Sequence, residues 1–280
     1  MKYRIGVVAE LLGISQEGLR LYERSGILDT QRESGSGKYR TYSHLDITAL
    51  LRARDYHNTG FTLQEIERMI NTDQIGVVRD KYADRREVLR EKIRREQLMA
   101  EHLDTVVELI DALPAELGVI RVEQRPAMYR FEYVKEDELL LTPDQYAEFR
   151  RWVNLTPFTF SAARNSWEAI CRGEETSFSA LGILAEHAKV FDIHEGGGVS
   201  YHAPCRCLYT VVRLQGDAVR ATEYLHGLLS YTLKNGIRVT GDPLARTFVS
   251  MNKRKDYTRY RQIWLPIEQP TPAEGEKTGF

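Results

Sequence analysis

Cysteine is scarce in this chain: Cys171, Cys205 and Cys207 are the three among 280 residues. An odd count without framework spacing excludes a disulfide scaffold. Cys205 and Cys207 stand two apart in a segment, Cys205 to Leu214, that reads as a strand. They therefore share one face and read as buried structural thiols rather than as a metal or redox pair. An excess of one charge is also missing. Lys and Arg number 39, Asp and Glu 40, and the formal net charge is −1. A globally basic nucleic-acid coat is excluded. No apolar run is long enough to span a bilayer, and the start Met1-Lys2-Tyr3-Arg4 carries no apolar leader. A cytoplasmic protein without a membrane partner is the expectation. There is no nucleophile triad and no metal-ligand cluster. The run Gly196-Gly197-Gly198 lacks the strand–helix context of a phosphate loop and reads as a turn. Neither a cofactor nor a catalytic residue is expected.

What is present is length for two domains and a connector, with an apolar content of 42%. The first seventy residues are the most informative. Ile5 to Leu12 reads as a short amphipathic helix ended by Gly13. Ser15 can cap a second helix, with the carboxylate of Glu17 in its first turn. Two short helices joined by small residues are the layout of a helix-turn-helix, whose second helix enters the DNA major groove. That helix carries Arg20 and Tyr22, suited to phosphate and base contact. A glycine-rich tip, Glu33 to Gly37, then precedes Lys38-Tyr39-Arg40-Thr41-Tyr42. Alternating aromatic and basic residues after a Gly cluster suggest a short hairpin or wing. Leu45 to Tyr56 reads as a helix. Thr62 and Glu65 form a capping box at the start of another. Residues 1–70 hold ten Lys/Arg against nine Asp/Glu, so DNA binding is argued from arrangement and not from excess charge. The candidate DNA contacts are Ser15, Arg20, Tyr22, Lys38, Tyr39, Arg40 and Tyr42.

Val77 to Leu113 contains neither Gly nor Pro and is rich in Arg, Glu and Leu, the composition of a long helix. Met99, Leu103, Val106, Ile110 and Leu113 recur at alternating steps of four and three, a coiled-coil seam. Such a helix would be about 55 Å long at roughly 1.5 Å per residue. Propensity alone does not hold a solvated helix of that length, so the same helix of a second subunit is the expected partner. Pro114 is expected to stop it.

Residues 119–268 read as a separate α+β domain. Val119 to Arg125 and Tyr129 to Tyr133 alternate like paired strands around Arg125-Pro126. Thr142-Pro143 opens a helix, and a further helical stretch is expected near Ala162 to Cys171. Phe178 to Ala185 and Leu208 to Leu214 read as strands. Asp217 is expected to cap a helix that runs to Leu233. Ile237 to Thr240, Phe248 to Met251 and Arg261 to Ile267 read as closing strands. Strand, helix and two strands thus recur, which suggests a duplicated unit.

The order Ile-Gly-x-x-Ala-x-x-x-Gly-Ile-Ser, Leu-Arg-x-Tyr-Glu, Gly-Ile-Leu, Tyr-Arg-x-Tyr and Gly-Phe-Thr-Leu-x-Glu-Ile resembles the MerR family of bacterial transcription regulators across residues 3–70. Gly18 and Leu21 depart from the Thr and Tyr frequent there. The helix, Asn235-Gly236-Ile237, Gly241-Asp242-Pro243 and the terminal Ile263-Trp264-Leu265-Pro266-Ile267 resemble, more loosely, the gyrase-inhibitor-like effector-binding domain found behind some such heads. The combination is similar to the multidrug-sensing members. The resemblance implies a winged helix-turn-helix head at 1–71 and an antiparallel coiled-coil dimerisation helix at 72–116. It implies a duplicated effector-binding domain at 117–268, and the Pro/Gly/Glu-rich residues 269–280 read as a flexible tail. The chain as a whole is then an α/α+β multidomain protein. The implied partners are promoter DNA, RNA polymerase, a second copy and a small-molecule effector. Metal-sensing relatives carry cysteines near the end of the connector, and Leu109 to Val119 has none.

Relatives that take organic cations carry a buried carboxylate, whereas this chain has Gln262 and Ala245 at the corresponding places, so neutral or anionic ligands become plausible. The candidate ligand contacts are Tyr133, Tyr146, Trp152, Phe160, Tyr209, Phe248, Trp264 and Gln262, with Glu132 and Glu186 as the leftover carboxylates. Two other readings stay open. One is a hydrolase of small electrophiles in the C-terminal domain, against which Gln262 counts. The other is a constitutive DNA binder with an empty cleft.

Overall fold

The computed structural model describes residues 2–28, 41–216, 220–253 and 256–268. Its contacts divide the chain into two units, Met1–Glu96 and Gln97–Phe280. In the first, strand β1 (Tyr3–Arg4) leads into helix α1 (Ile5–Leu12), which ends at Gly13. Gly13 has φ +60°, a backbone that closes the helix and that side chains with a Cβ rarely adopt. Helix α2 (Gln16–Arg24) begins at Ser15, whose Oγ accepts from Gly18 N at 3.0 Å. Strand β2 (Thr41–Tyr42) pairs antiparallel with β1. The wing expected before it, including Lys38, Tyr39 and Arg40, lies outside the described residues. Helices α3 (His44–Thr59) and α4 (Leu63–Ile70) both start in full capping boxes, Ser43 with Asp46 and Thr62 with Glu65. Val8, Leu19, Tyr22, Tyr42, Leu50 and Ile66 close one core.

Helix α5 (Ile75–Glu116) follows, and the unit boundary falls within it. Its start is tied to the head by Tyr82, which packs edge-on against Tyr56 and Phe61. Arg85 Nε also donates to the Thr59 carbonyl at 3.0 Å. Pro114 does not stop the helix. It sits inside the last turn, which Leu117 N closes on the Leu113 carbonyl at 3.1 Å. Proline costs the ladder one donor, and so close to the end few bonds remain to lose.

The second unit is built on a nine-stranded antiparallel sheet among the described residues. The strands are β3 (Arg121–Arg125), β4 (Met128–Lys135), β5 (Glu138–Leu139), β6 (Thr159–Asn165), β7 (Ser177–Leu184), β8 (Val199–His202), β9 (Cys205–Gln215), β10 (Leu244–Lys253) and β11 (Asp256–Pro266). Helices α6 (Tyr146–Asn154), α7 (Trp167–Cys171), α8 (Ala185–Val190), α9 (Ala221–Tyr224) and α10 (His226–Asn235) connect them. The order is β3-β9-β11-β10-β6-β7-β4-β5, with β8 also on β4. Strand, helix, strand, strand occurs as β4-α6-β6-β7 and again as β9-α10-β10-β11. In both runs the last strand lies between the other two, and β6 meets β10 where the two runs join.

Several expected elements differ. β3 and β4 do not form a hairpin: β3 pairs with β9 and β4 with β7, on opposite halves of the sheet. Alternation identifies a strand but not its partner. Ala162 to Asn165 belongs to a strand, with helix only from Trp167. Its small residues suit a helix by propensity, yet they are covered on both faces of the sheet: Ala162 packs with Phe160 and Ala180, while Ala163 packs under Leu225 and Leu228. Ile237 to Thr240 is reduced to a single bridge from Val239 to Ile267. Asp217 lies outside the described residues. The helical region from Ala221 to Asn235 is two helices, broken at Leu225.

Candidate functional site

Two places gather side chains with chemistry to offer. The first is the outer face of α2. Leu19 and Tyr22 point into the head core, and Arg20 and Arg24, one turn apart, are left outside. Both arginines reach Glu17, Arg24 Nη2 to Oε1 at 2.9 Å and Arg20 Nη1 to Oε2 at 3.2 Å. Hydrogen bonds from Arg24 and then Arg20 hold the Glu17 carboxyl below its ordinary pKa. The face therefore presents two guanidinium groups pre-oriented by one exposed carboxylate, which a phosphate can replace. Tyr22 and Tyr42 are placed otherwise. Tyr22 is buried, and Tyr42 is wholly buried with its hydroxyl donating to Glu23 at 2.7 Å. Both phenols brace the head from within.

The second is a cavity of about 280 Å³ within the Gln97–Phe280 unit, between the end of α5 and the middle of the sheet. Glu101, His102 and Thr105 of α5 face Leu184, Glu186 and His187 across it, and Arg246 of β10 lines it from the sheet. An adjoining hollow of about 260 Å³ shares His102 and Arg246 and runs on to Phe160 and Phe248. Phe160 lies against Gly182, where a Cβ would meet its ring at 2.4 Å, so glycine is what lets the ring lie flat. Arg246 is 9% exposed and packs over the Phe160 ring at 4.8 Å. Its Nε has no hydrogen-bond partner among the described residues. Burial lowers its pKa. The two imidazoles are also held below the ordinary histidine value, by burial above all.

Residues 3–73 match the model of the MerR HTH family regulatory protein. This segment is similar to the helix-turn-helix heads of that family. The mercuric resistance operon regulatory protein of Bacillus cereus is 36% identical over 70 residues, 25% of this chain and 52% of that protein. The HTH-type transcriptional activator mta of Bacillus subtilis (strain 168) is 29% identical over 114 residues, 40% of this chain and 42% of its own length. The chain thus spans about half the length of these curated relatives. The solved EcmrR–DNA complex in EcmrR-RPo is 14% identical, with a TM-score of 0.37 over 96% of this chain and 100% of that one.

In the second unit the expected ligand residues scatter. Glu186 lines the cavity, and Phe160 and Phe248 line its extension. Tyr209, Gln262 and Trp264 are buried within the sheet: Gln262 Nε2 donates to the Tyr209 hydroxyl at 3.1 Å, and the Tyr209 and Trp264 rings are 5.7 Å apart. Trp152 is wholly buried against Phe131, its Nε1 donating to Glu148 at 3.1 Å. Tyr133 packs on Phe149, and Tyr146 is exposed at the start of α6. Glu132 is held by Arg164. Ala245 faces the helix-covered core, and the residue beside it, Arg246, turns toward the cavity. Sequence reasoning missed Arg24, His102, His187 and Arg246. Arg24 was findable as the one-turn neighbour of Arg20, and Arg246 from the alternation along β10 opposite Gln262. Nothing in the sequence placed α5 over the sheet.

Among the described residues no helix is long and apolar enough to cross a membrane. No group of three His, Cys, Asp or Glu could hold a metal ion there.

Proposed function

We propose that this protein is a ligand-responsive transcription regulator that binds promoter DNA as a homodimer in the cytoplasm and responds to a small effector through residues 117–268. The observation that carries the reading is the head: residues 3–73 match the MerR helix-turn-helix family, and α2 offers an exposed cationic face. Arg20 and Arg24, with Ser15 at the helix start, contact the DNA backbone. By the same resemblance the dimer bends and untwists the promoter spacer and brings RNA polymerase's two recognition elements into register. The twofold run of strand, helix, strand, strand supports a duplicated effector-binding domain over one fused by chance. Part of the apolar seam supports the dimer: Leu103, Val107 and Ile110 form an exposed stripe on α5, whereas Val106 and Leu113 turn toward this chain's own sheet.

The test is selection of duplexes from a randomised pool by the full chain, followed by binding at several salt concentrations. A recurring sequence should be retained. Arg20→Ala should weaken binding to it and to bulk duplex alike, and flatten the salt dependence by about 0.9 in log–log slope for one lost phosphate contact. Retention no better than bulk, or an unchanged slope for Arg20→Ala, overturns the reading.

A further inference from the structure

We propose that the cavity beneath α5 is a site for a small amphipathic organic monocarboxylate, whose carboxylate pairs with Arg246. The proposal deepens the regulator reading and rests on it for its consequence, the response of DNA binding to an effector.

Arg246 is nine-tenths buried, points into the cavity and has an orphaned Nε. A buried, unpaired guanidinium is costly, so a group that pairs it on arrival gains what the free protein forgoes. The residue opposite it in register is Gln262, a neutral amide that already donates to Tyr209 and brings no charge, so the carboxylate acting on Arg246 is the exposed Glu186, through space and without a hydrogen bond to it.

The rest of the cavity narrows the ligand. His102 and His187 are kept neutral by burial, so the positive charge of the floor is that of Arg246. One fixed charge matches one negative charge. Glu101 and Glu186, both exposed, stand on the same cavity and oppose any anion in proportion to its charge, so a monocarboxylate in contact with Arg246 is favoured over a dianion such as a phosphate monoester. A planar guanidinium accepts a carboxylate in a two-point fork. Leu98, Leu184 and the Phe160–Phe248 extension supply apolar wall, and a volume of about 280 Å³ suits a single ring.

The experiment is calorimetric titration of the full chain with phenylacetate, phenylacetamide and phenethylammonium at pH 7.5. Phenylacetate should bind at least about tenfold more tightly than the amide, the worth of one charge-assisted pair, and phenethylammonium more weakly than either. Arg246→Met keeps the stem and removes the charge, so phenylacetate should fall to the level of the amide. If that variant does not fold, Glu186→Gln on the exposed rim decides instead, and should raise phenylacetate affinity at least twofold. Equal binding of the three probes, preference for the cation, or no binding of any of them overturns the proposal. Duplex retention is measured on the same preparation. Charge preference without duplex retention removes the regulator and keeps the site, and duplex retention without charge preference removes the site alone.

Discussion

Arg164 on β6 reaches across β7 and holds Glu132 on β4 by two parallel hydrogen bonds, Nε to Oε1 at 2.8 Å and Nη2 to Oε2 at 3.0 Å. Asp242 takes the remaining edge of the guanidinium at 2.8 Å, and the Phe178 ring lies 3.7 Å beneath it. Arg130, fully buried and without a hydrogen-bond partner among the described residues, has its Nη2 3.7 Å from the same Glu132 carboxylate. Glu132 thus answers two arginines and is not available to a cationic ligand. Glu132→Gln leaves both cations short of a counter-charge and should cost about 3 kcal/mol of stability. Urea denaturation of the two proteins at pH 7 measures it. A loss under about 1 kcal/mol would place the pair among surface bridges of little worth. The selectivity of the cavity among charged probes should not move.

This cluster also shows where a sequence stops being readable. The helices of the head were legible because their determinants are local: Gly13, Ser15, the capping pair Thr62–Glu65, and spacings of three and four. The strands of the second unit were mostly legible from alternation. Their partners were not, because Glu132 and Arg164 are 32 residues apart and Arg164 and Asp242 are 78 apart. The site suffered the same way. Gln262 was singled out from its place in a motif, and it lies buried in the sheet rather than on the cavity. Arg246 was passed over because its meaning comes from facing His102, which a helix far back in the chain brings over it.

His202 on β8 gives the domain an acid-sensitive point. Burial, then the charges of Arg130 and Arg125, push its pKa down to about 4, against a smaller opposing pull from Glu132. An unfolded histidine titrates near ~6.5. Between those values the unfolded chain binds the proton and the folded chain does not, so stability falls as pH drops from about 6.5 to about 4. His202→Gln keeps a polar partner for Ser200 and removes the titration. Its melting temperature should decline less than that of the unmodified protein between pH 7 and pH 4.5. Parallel declines would show that other groups set the acid lability.

The dimer prediction falls on the exposed stripe of α5. Leu103 and Ile110 are 57% and 43% exposed in the single chain, while Leu113 packs toward Met128 and Tyr209. Lysine at 103 and 110 sets charge into an apolar seam without touching the domain core. Light scattering should then report monomers, with the circular dichroism of the unmodified protein retained. A double variant that stays dimeric assigns the contact to another surface. A variant that loses its fold would mean the stripe is covered within its own chain.

Gln262→Glu separates two accounts of the cavity. If the side chain at 262 itself faces the ligand, a carboxylate there creates an anionic site and phenethylammonium binds more tightly. The register argues otherwise. Gln262 lies directly opposite Arg246 on the neighbouring strand, and a glutamate there finds the unpaired guanidinium before it finds any ligand. The Tyr209 hydroxyl, now 3.1 Å from the amide nitrogen, can turn to donate to the new carboxylate, so neither oxygen need be left bare. The variant should therefore be more stable, by about 1–3 kcal/mol, because it supplies a charge-assisted bond to a cation that had none. It should also bind phenylacetate at least about tenfold more weakly, since the new side chain occupies the fork. Affinity for phenethylammonium should change little, as the pair is neutral overall. Thermal unfolding and calorimetry on one preparation read all three quantities. A destabilised Gln262→Glu that gains cation affinity would move the recognition element from Arg246 to position 262.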